Sequence, residues 1–351
     1  MRTLAFISIV AICLLLSCSE KEKSSESSIL SFEISAASQE NLLSSQIQFD
    51  SENKVISVFS PENLPDNIFP VSLTPEVRSS SQSKLIPESG TEITFTDKDA
   101  CSTYRVTAED GTVSTWYVLL RDNQLPNADF DDWFETTGMN SQPFLQPGRL
   151  QETTVWATAN MGTSIYGVYC TNPLEDGDNT LVEIITGETE AVPVTAGTLF
   201  TGKFDISGAI NNPTDPERAT DFGIPFIYRP KALRLKYSYQ SGEDFIRGTL
   251  NDPENIFGGF TVDHLEGKDS CKIYSFLEAW NDDQKSVIAG FLFFTDDTGE
   301  ELEEITIPYT YYLDQNPTHI TLVFTSSKDG ALYTGSVGSK LIIDDLEFIY
   351  D

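Results

Sequence analysis

The stretch 222-FGIPFIYRPKALRLKYSY-239 decides how the rest of the chain is read. Gly223 and Pro225 interrupt any regular element at its start. From Leu233 onward the residues alternate. Leu233, Leu235, Tyr237 and Tyr239 fall on one side, and Arg234, Lys236 and Ser238 on the other. A period of two marks a β-strand buried on one face. The same stretch holds Arg229, Lys231, Arg234 and Lys236. The whole chain carries 22 Lys and Arg against 54 Asp and Glu, so these four cations are a local concentration. Two readings stand open. Cations and aromatics on a rigid strand could grip a polar ligand. Alternatively, the tyrosines fill a core and the cations neutralise nearby acids.

Outward from this strand, residues 125–351 show no long helical periodicity. Strand-like runs succeed one another from 128–134 through 165–170 to 340–350. Turns such as Glu175-Asp176-Gly177-Asp178, Asn211-Asn212-Pro213 and Asp329-Gly330 separate them. One antiparallel sandwich of this size is expected to be a jelly roll with one sheet face concave and open. Upstream, residues 29–122 carry a second series of short runs. The clearest is Thr103–Leu120, where Asp110-Gly111 sits between two β-branched, aromatic segments, a hairpin signal. This predicts an immunoglobulin-like β-sandwich over 29–122, in which Trp116 reads as a core aromatic. The expected fold class is therefore all-β, with the two sandwiches joined near Pro126 and Asn127.

The formal charge of −32 and the pI of about 4.2 set the chain against a phosphate backbone, which excludes nucleic acid as a partner. The five cysteines form no CxxC pair. The two histidines, His264 and His319, lie near no GxSxG or HExxH pattern. Serine nucleophile chemistry is thus a poor fit. Cys170 and Cys271 could pair after export, or stay with Cys101 as free thiols.

Residues 1–18, MRTLAFISIVAICLLLSC, place Arg2 before an apolar run that is short for a membrane span. Its end, Leu-Leu-Ser-Cys, resembles a bacterial lipobox. That resemblance implies a signal peptide over 1–17, lipidation of Cys18 and an outer-membrane anchor. Residues 18–28 contain the polar run SEKEKSSESS and read as a tether. An acidic residue just after the cysteine resembles the surface-export signal of Bacteroides-group lipoproteins. The 29–122 sandwich resembles the small spacer domains that follow such anchors.

Seven blocks of the 125–351 segment carry a further likeness. They are Asn127–Trp133 (NADFDDW), Trp156–Asn160 (WATAN), Ala196–Phe204 (AGTLFTGKF), the Phe222–Tyr239 stretch, Asp269–Tyr274 (DSCKIY), Ser326–Gly330 (SSKDG) and Gly338–Asp345 (GSKLIIDD). In this order and spacing they resemble the "putative carbohydrate metabolism domain" of Bacteroides-type lipoproteins. The resemblance implies a jelly roll like carbohydrate-binding modules and a role in handling oligosaccharides or polysaccharides. It supplies no reaction.

A glycan face needs flat aromatics for the C–H side of a sugar ring and forked polar groups for its hydroxyls. On 272–280, Tyr274, Phe276, Glu278 and Trp280 alternate to one side, and Ile273, Ser275, Leu277 and Ala279 to the other. The apolar second set suits a core, which leaves the first set for an open face. Trp156 and Asn160 are expected at a sandwich rim. Lys203, Arg229 and Lys231 are expected as donors completing a pocket, with the Arg fork also suited to an acidic sugar. A glycoside hydrolase would need two carboxylates about 5–10 Å apart; Glu278, Asp282 and Asp283 are candidates by position. Asp129, Asp131, Asp344 and Asp345, on the first and last strands, could share a structural Ca²⁺. The sequence thus points to a glycan-binding lipoprotein, with a hydrolase or an adhesive surface protein as alternatives.

Overall fold

The computed structural model describes residues 22–212, 214–281, 284–296 and 299–350. Cys18 and the expected signal peptide lie outside them. The described chain is all-β, and its buried apolar residues form two large clusters, one from Ile29 to Leu120 and one from Leu125 to Phe348.

In the first unit a three-stranded sheet (Ile29–Ala37, Val71–Ser79, Ile93–Phe95) and a five-stranded sheet contribute to one core. Tyr104, Trp116 and Phe95 are its large buried side chains. The expected hairpin is present: Cys101–Thr107 pairs antiparallel with Val113–Arg121. Gly111 takes φ +95° in its turn, where a β-carbon is disfavoured. Val55–Phe59 runs parallel to Val113–Arg121, so this sheet is mixed.

In the second unit an eight-stranded sheet faces a five-stranded one. Ala232–Gln240, the strand quoted at the outset, lies in the smaller sheet between Lys340–Ile349 and Glu303–Pro308. Leu233, Leu235, Tyr237 and Tyr239 point into the core. On the other side Arg234 pairs with Glu347, and Lys236 Nζ lies 2.6 Å from Asp345 Oδ2. The second of the two readings therefore describes this strand: its cations answer acids on the neighbouring strand.

Two expected strands are absent, for local reasons. Within 128–134, Asn127 (φ +49°) and Phe130 (φ +54°) are left-handed. The Asn127 amide binds both the N–H and the C=O of Asp132, which closes a turn; strand structure begins at Trp133. Within 165–170 the chain makes a 3-10 turn, Ser164–Tyr166, and a loop held by Asn160. Cys170 and Cys271 are buried free thiols, and Cys101 is a half-buried one.

The two units touch. Tyr228 Oη donates to Ser60 O at 2.6 Å. Arg149 reaches Asp97 in the first unit and Asp132 in the second, each at 2.5 Å. Among the described residues no helix is long and apolar enough to cross a membrane.

Candidate functional site

The strand Cys271–Asn281 runs through the middle of the large sheet, between His319–Thr325 and Gln284–Thr295. Its alternation is the one read from the sequence. Ile273, Ser275, Leu277 and Ala279 are buried, whereas Lys272, Tyr274, Glu278 and Trp280 are half-buried and Phe276 is exposed. Directly opposed residues of an antiparallel pair share a face. Phe276 is thus flanked on the open face by Gly290 and Thr321, Tyr274 by Leu292 and Val323, and Lys272 by Phe294 and Thr325.

Phe276 is held in a particular pose. A β-carbon on Gly290 would stand 2.7 Å from Phe276 Cδ1 and 3.1 Å from Cε1, so the ring lies over the glycine. Tyr274 packs beside it, ring centres 5.7 Å apart. Next to them Leu292 is 60 % and Phe294 58 % exposed. Exposed apolar side chains gathered in this way make the face a candidate binding surface. Polar groups border it: Glu278 Oε2 accepts from Thr321 Oγ1 at 3.1 Å, and Lys272 Nζ lies 5.3 Å from the centre of the Tyr274 ring. Sequence reasoning found Tyr274, Phe276 and Glu278 by their period. It missed Leu292, Phe294 and Gly290, whose place depends on cross-strand register.

Two cavities adjoin this face. One, of about 280 Å³, is walled by Phe200, Phe222, Tyr274 and Val323. The other is a groove of about 830 Å³ between the two units, lined by Asp50 and Glu52 of the first and by Lys203, Asp221, Trp280 and His319 of the second. The first unit therefore closes one end of the open face.

Trp280 stands in that groove with its ring already engaged. The His319 imidazole stacks on it at 3.7 Å and 9°, and the Lys285 ammonium lies 3.7 Å from the ring centre. Burial, aided by Lys285, lowers the His319 pKa from 6.5 to about 4. The unfolded chain thus binds this proton more readily than the folded one. Stability from His319 is full above pH 6.5 and falls as the pH drops towards 4. We expect the melting temperature to fall between pH 7 and 5, and His319→Gln to show a smaller fall when melted at the same pH values. Equal falls in both proteins would contradict this placement.

Several expected site residues lie elsewhere. Trp156 is not at a rim. It is 2 % exposed, with Nε1 donating to Pro126 O at 3.0 Å and its ring 5.1 Å from that of Phe130. Asn160 is fully buried; its Oδ1 accepts from the N–H groups of Cys170 and Thr171, and its Nδ2 donates to Thr171 O. Both side chains hold the fold and offer nothing to a ligand. Arg229 stacks 4.5 Å over Tyr311, donates to Gln315 O and lies 3.7 Å from Asp314, so its fork is spent within the chain. Lys231 is exposed at the start of the smaller sheet's Ala232–Gln240 strand, away from the open face. Lys203 lies in the groove, 3.9 Å from Asp50.

Of the three candidate catalytic acids only Glu278 falls among the described residues; Asp282 and Asp283 lie outside them. Three of the four aspartates considered for calcium are engaged by other groups. Asp131 caps the N–H of Thr180, Asp344 accepts from Asn179 Nδ2, and Asp345 is paired with Lys236. Among the described residues no three His, Cys, Asp or Glu side chains gather as a metal site requires.

No curated protein matches the chain. Solved structures do, among them the following two. One is described as a putative glycoside hydrolase from Bacteroides thetaiotaomicron VPI-5482. It is 23 % identical, with a TM-score of 0.54 over 95 % of this chain and 99 % of that one. The other, described as a putative glycoside hydrolase from Bacteroides vulgatus ATCC 8482, is 22 % identical. Its TM-score is 0.51 over 64 % of this chain and 97 % of that one. At these identities they share the fold. Residues 129–349, nearly all of the second unit and its open-faced sheet, match a family in their own right, and the chain belongs to that family, the "putative carbohydrate metabolism domain".

Proposed function

We propose that the protein binds glycans on the open face of its large sheet, as a lipid-anchored protein of the outer membrane. The observation that carries the reading is the Phe276 ring lying over Gly290 beside Tyr274, with Leu292 and Phe294 exposed around it. A flat aromatic backed by the sheet presents one face to the C–H side of a sugar ring. Glu278 and Thr321 stand within the same sheet face to engage hydroxyls. Covering about 100 Å² of apolar sugar surface contributes about 2.5 kcal/mol. This supports weak binding unless hydroxyl contacts add to it. Arg229, spent inside the chain, is no donor to this face.

The anchor rests on residues 1–18 and on the polar tether that follows. The first unit would then act as a spacer that also walls one end of the binding face. A Cys18→Ala variant is expected to leave the membrane fraction.

A glycan array read alongside a reducing-sugar assay tests the reading. Saturable binding with the glycan intact is the expected result. Release of reducing ends would favour a hydrolase on the same fold, and no binding to any glycan would favour an adhesive role.

A further inference from the structure

The cavity of about 280 Å³ beside Tyr274 has a chemistry unlike that of the sheet face. Phe200 and Val323 are buried at its floor, in a small cluster with Ala157 against which Phe222 and Tyr274 pack. Tyr333 closes another side, its ring 4.9 Å from that of Phe260. The cavity's remaining lining mixes further apolar side chains with hydroxyls such as Thr198 and Thr325. An apolar cavity of about 150 Å³ is enough to take up benzene. This one is larger and would receive a substituted aromatic ring or a short acyl chain.

The mouth adds a second, independent feature. In a chain with 22 cations against 54 acids, two of the cations, Lys272 and Lys328, line this one cavity. Asp215 is the sole carboxylate among the described lining residues. Lys328 Nζ lies 3.3 Å from Asp329, and Lys272 Nζ 5.3 Å from the centre of the Tyr274 ring.

The rim is apolar and braced. Ile256 lines the cavity, and the next residue, Phe257, is 77 % exposed. Its loop is fixed by Asn255, which caps the Phe257 N–H, and by Asn251, bonded to Gly259 O and Thr261 Oγ1. Across the same mouth, Ala331 lines the cavity beside Leu332, which is 71 % exposed.

We propose that this cavity is a binding site for a small carboxylate with an apolar body, an aryl or short-chain acyl acid. The body occupies the space between Phe200, Phe222 and Tyr333, and the carboxylate meets Lys272, with Lys328, itself paired with Asp329, adding positive charge to the lining. The proposal does not rest on the glycan reading, and the two can fail separately.

Titration calorimetry of the full-length chain tests it, with trans-cinnamate, octanoate and the uncharged cinnamyl alcohol as ligands. Cinnamate and octanoate should saturate with a Kd of about 0.1–1 mM, and cinnamyl alcohol should bind about ten-fold more weakly. Ala331→Trp places a large ring in the mouth from an exposed position and should weaken both acids at least about ten-fold. Lys272→Met should weaken the acids and leave the alcohol unchanged. No saturable binding of any ligand up to about 10 mM would overturn the proposal. So would binding that Ala331→Trp leaves intact, or equal effects of Lys272→Met on the acids and the alcohol.

Discussion

Replacing Asp269 with Ala is expected to lower the melting temperature of the second unit by about 10 °C. Asp269 is 1 % exposed. Its Oδ1 accepts the Ser270 N–H at 2.8 Å. Its Oδ2 accepts from Ser327 Oγ at 2.5 Å, Ser339 Oγ at 2.8 Å and the Ser336 N–H at 2.9 Å. Burial pushes its pKa up, and these four donors pull it down. Without the carboxylate the two hydroxyls can turn to other acceptors. The two backbone N–H groups cannot, and each buried unpaired donor costs about 1–3 kcal/mol. The expected loss is about 3–5 kcal/mol, at about 2–4 °C per kcal/mol for a unit of this size. Asp269→Asn keeps one acceptor oxygen but turns an amide donor towards other donors, so it should recover only part of the loss. A thermal melt of either variant within about 2 °C of the parent would refute this role.

Replacing Phe276 with Ala is expected to weaken glycan binding by about 2 kcal/mol, roughly 30-fold in Kd, with the melting temperature little changed. The ring is 36 % exposed and lies on the sheet surface, so its loss opens no internal cavity. Gly290→Ala tests the pose itself. The new β-carbon would stand 2.7 Å from the Phe276 ring and 2.9 Å from the backbone Ser275 O, so the ring must lift and the strands must shift locally. Affinity should then fall although Phe276 is still present. Titration of the two variants with whichever glycan binds the parent checks both outcomes. Unchanged affinity in Phe276→Ala would remove the ring from the site.

The hub at Asp269 also explains what the sequence blocks mean. Asp269 lies 58 residues before Ser327 and 70 before Ser339, yet the three meet at one carboxylate and join the blocks Asp269–Tyr274, Ser326–Gly330 and Gly338–Asp345. Tyr239, the last residue of the stretch first quoted, donates to Ser326 O at 3.0 Å in the same region. Asn160 bridges two loop amides, and Asn127 closes a turn onto Asp132. Blocks that revealed the family are largely scaffold. Reading a binding role into Trp156 and Asn160 mistook residues that hold the fold for residues that meet a ligand.

Strand periodicity, by contrast, was legible. The alternation from Lys272 to Trp280 told which side of the strand faces out, because side chains on a strand have a period of two. What surrounds those side chains depends on register, which period alone does not supply. Gly290 opposite Phe276, Leu292 opposite Tyr274 and His319 against Trp280 are such pairings. The same limit applied to the cations of the Phe222–Tyr239 stretch. Their partners Glu347, Asp345 and Asp314 come from strands and loops about a hundred residues away.

The claim on which the account depends is that a sugar ring lies on the outward face of Phe276. A crystal soaked with an oligosaccharide selected on the array tests it most directly. The predicted result is density for a sugar ring stacked on Phe276 beside Tyr274, with hydroxyls in reach of Glu278 and Thr321. Density confined to the groove between the two units, with Phe276 bare, would contradict it.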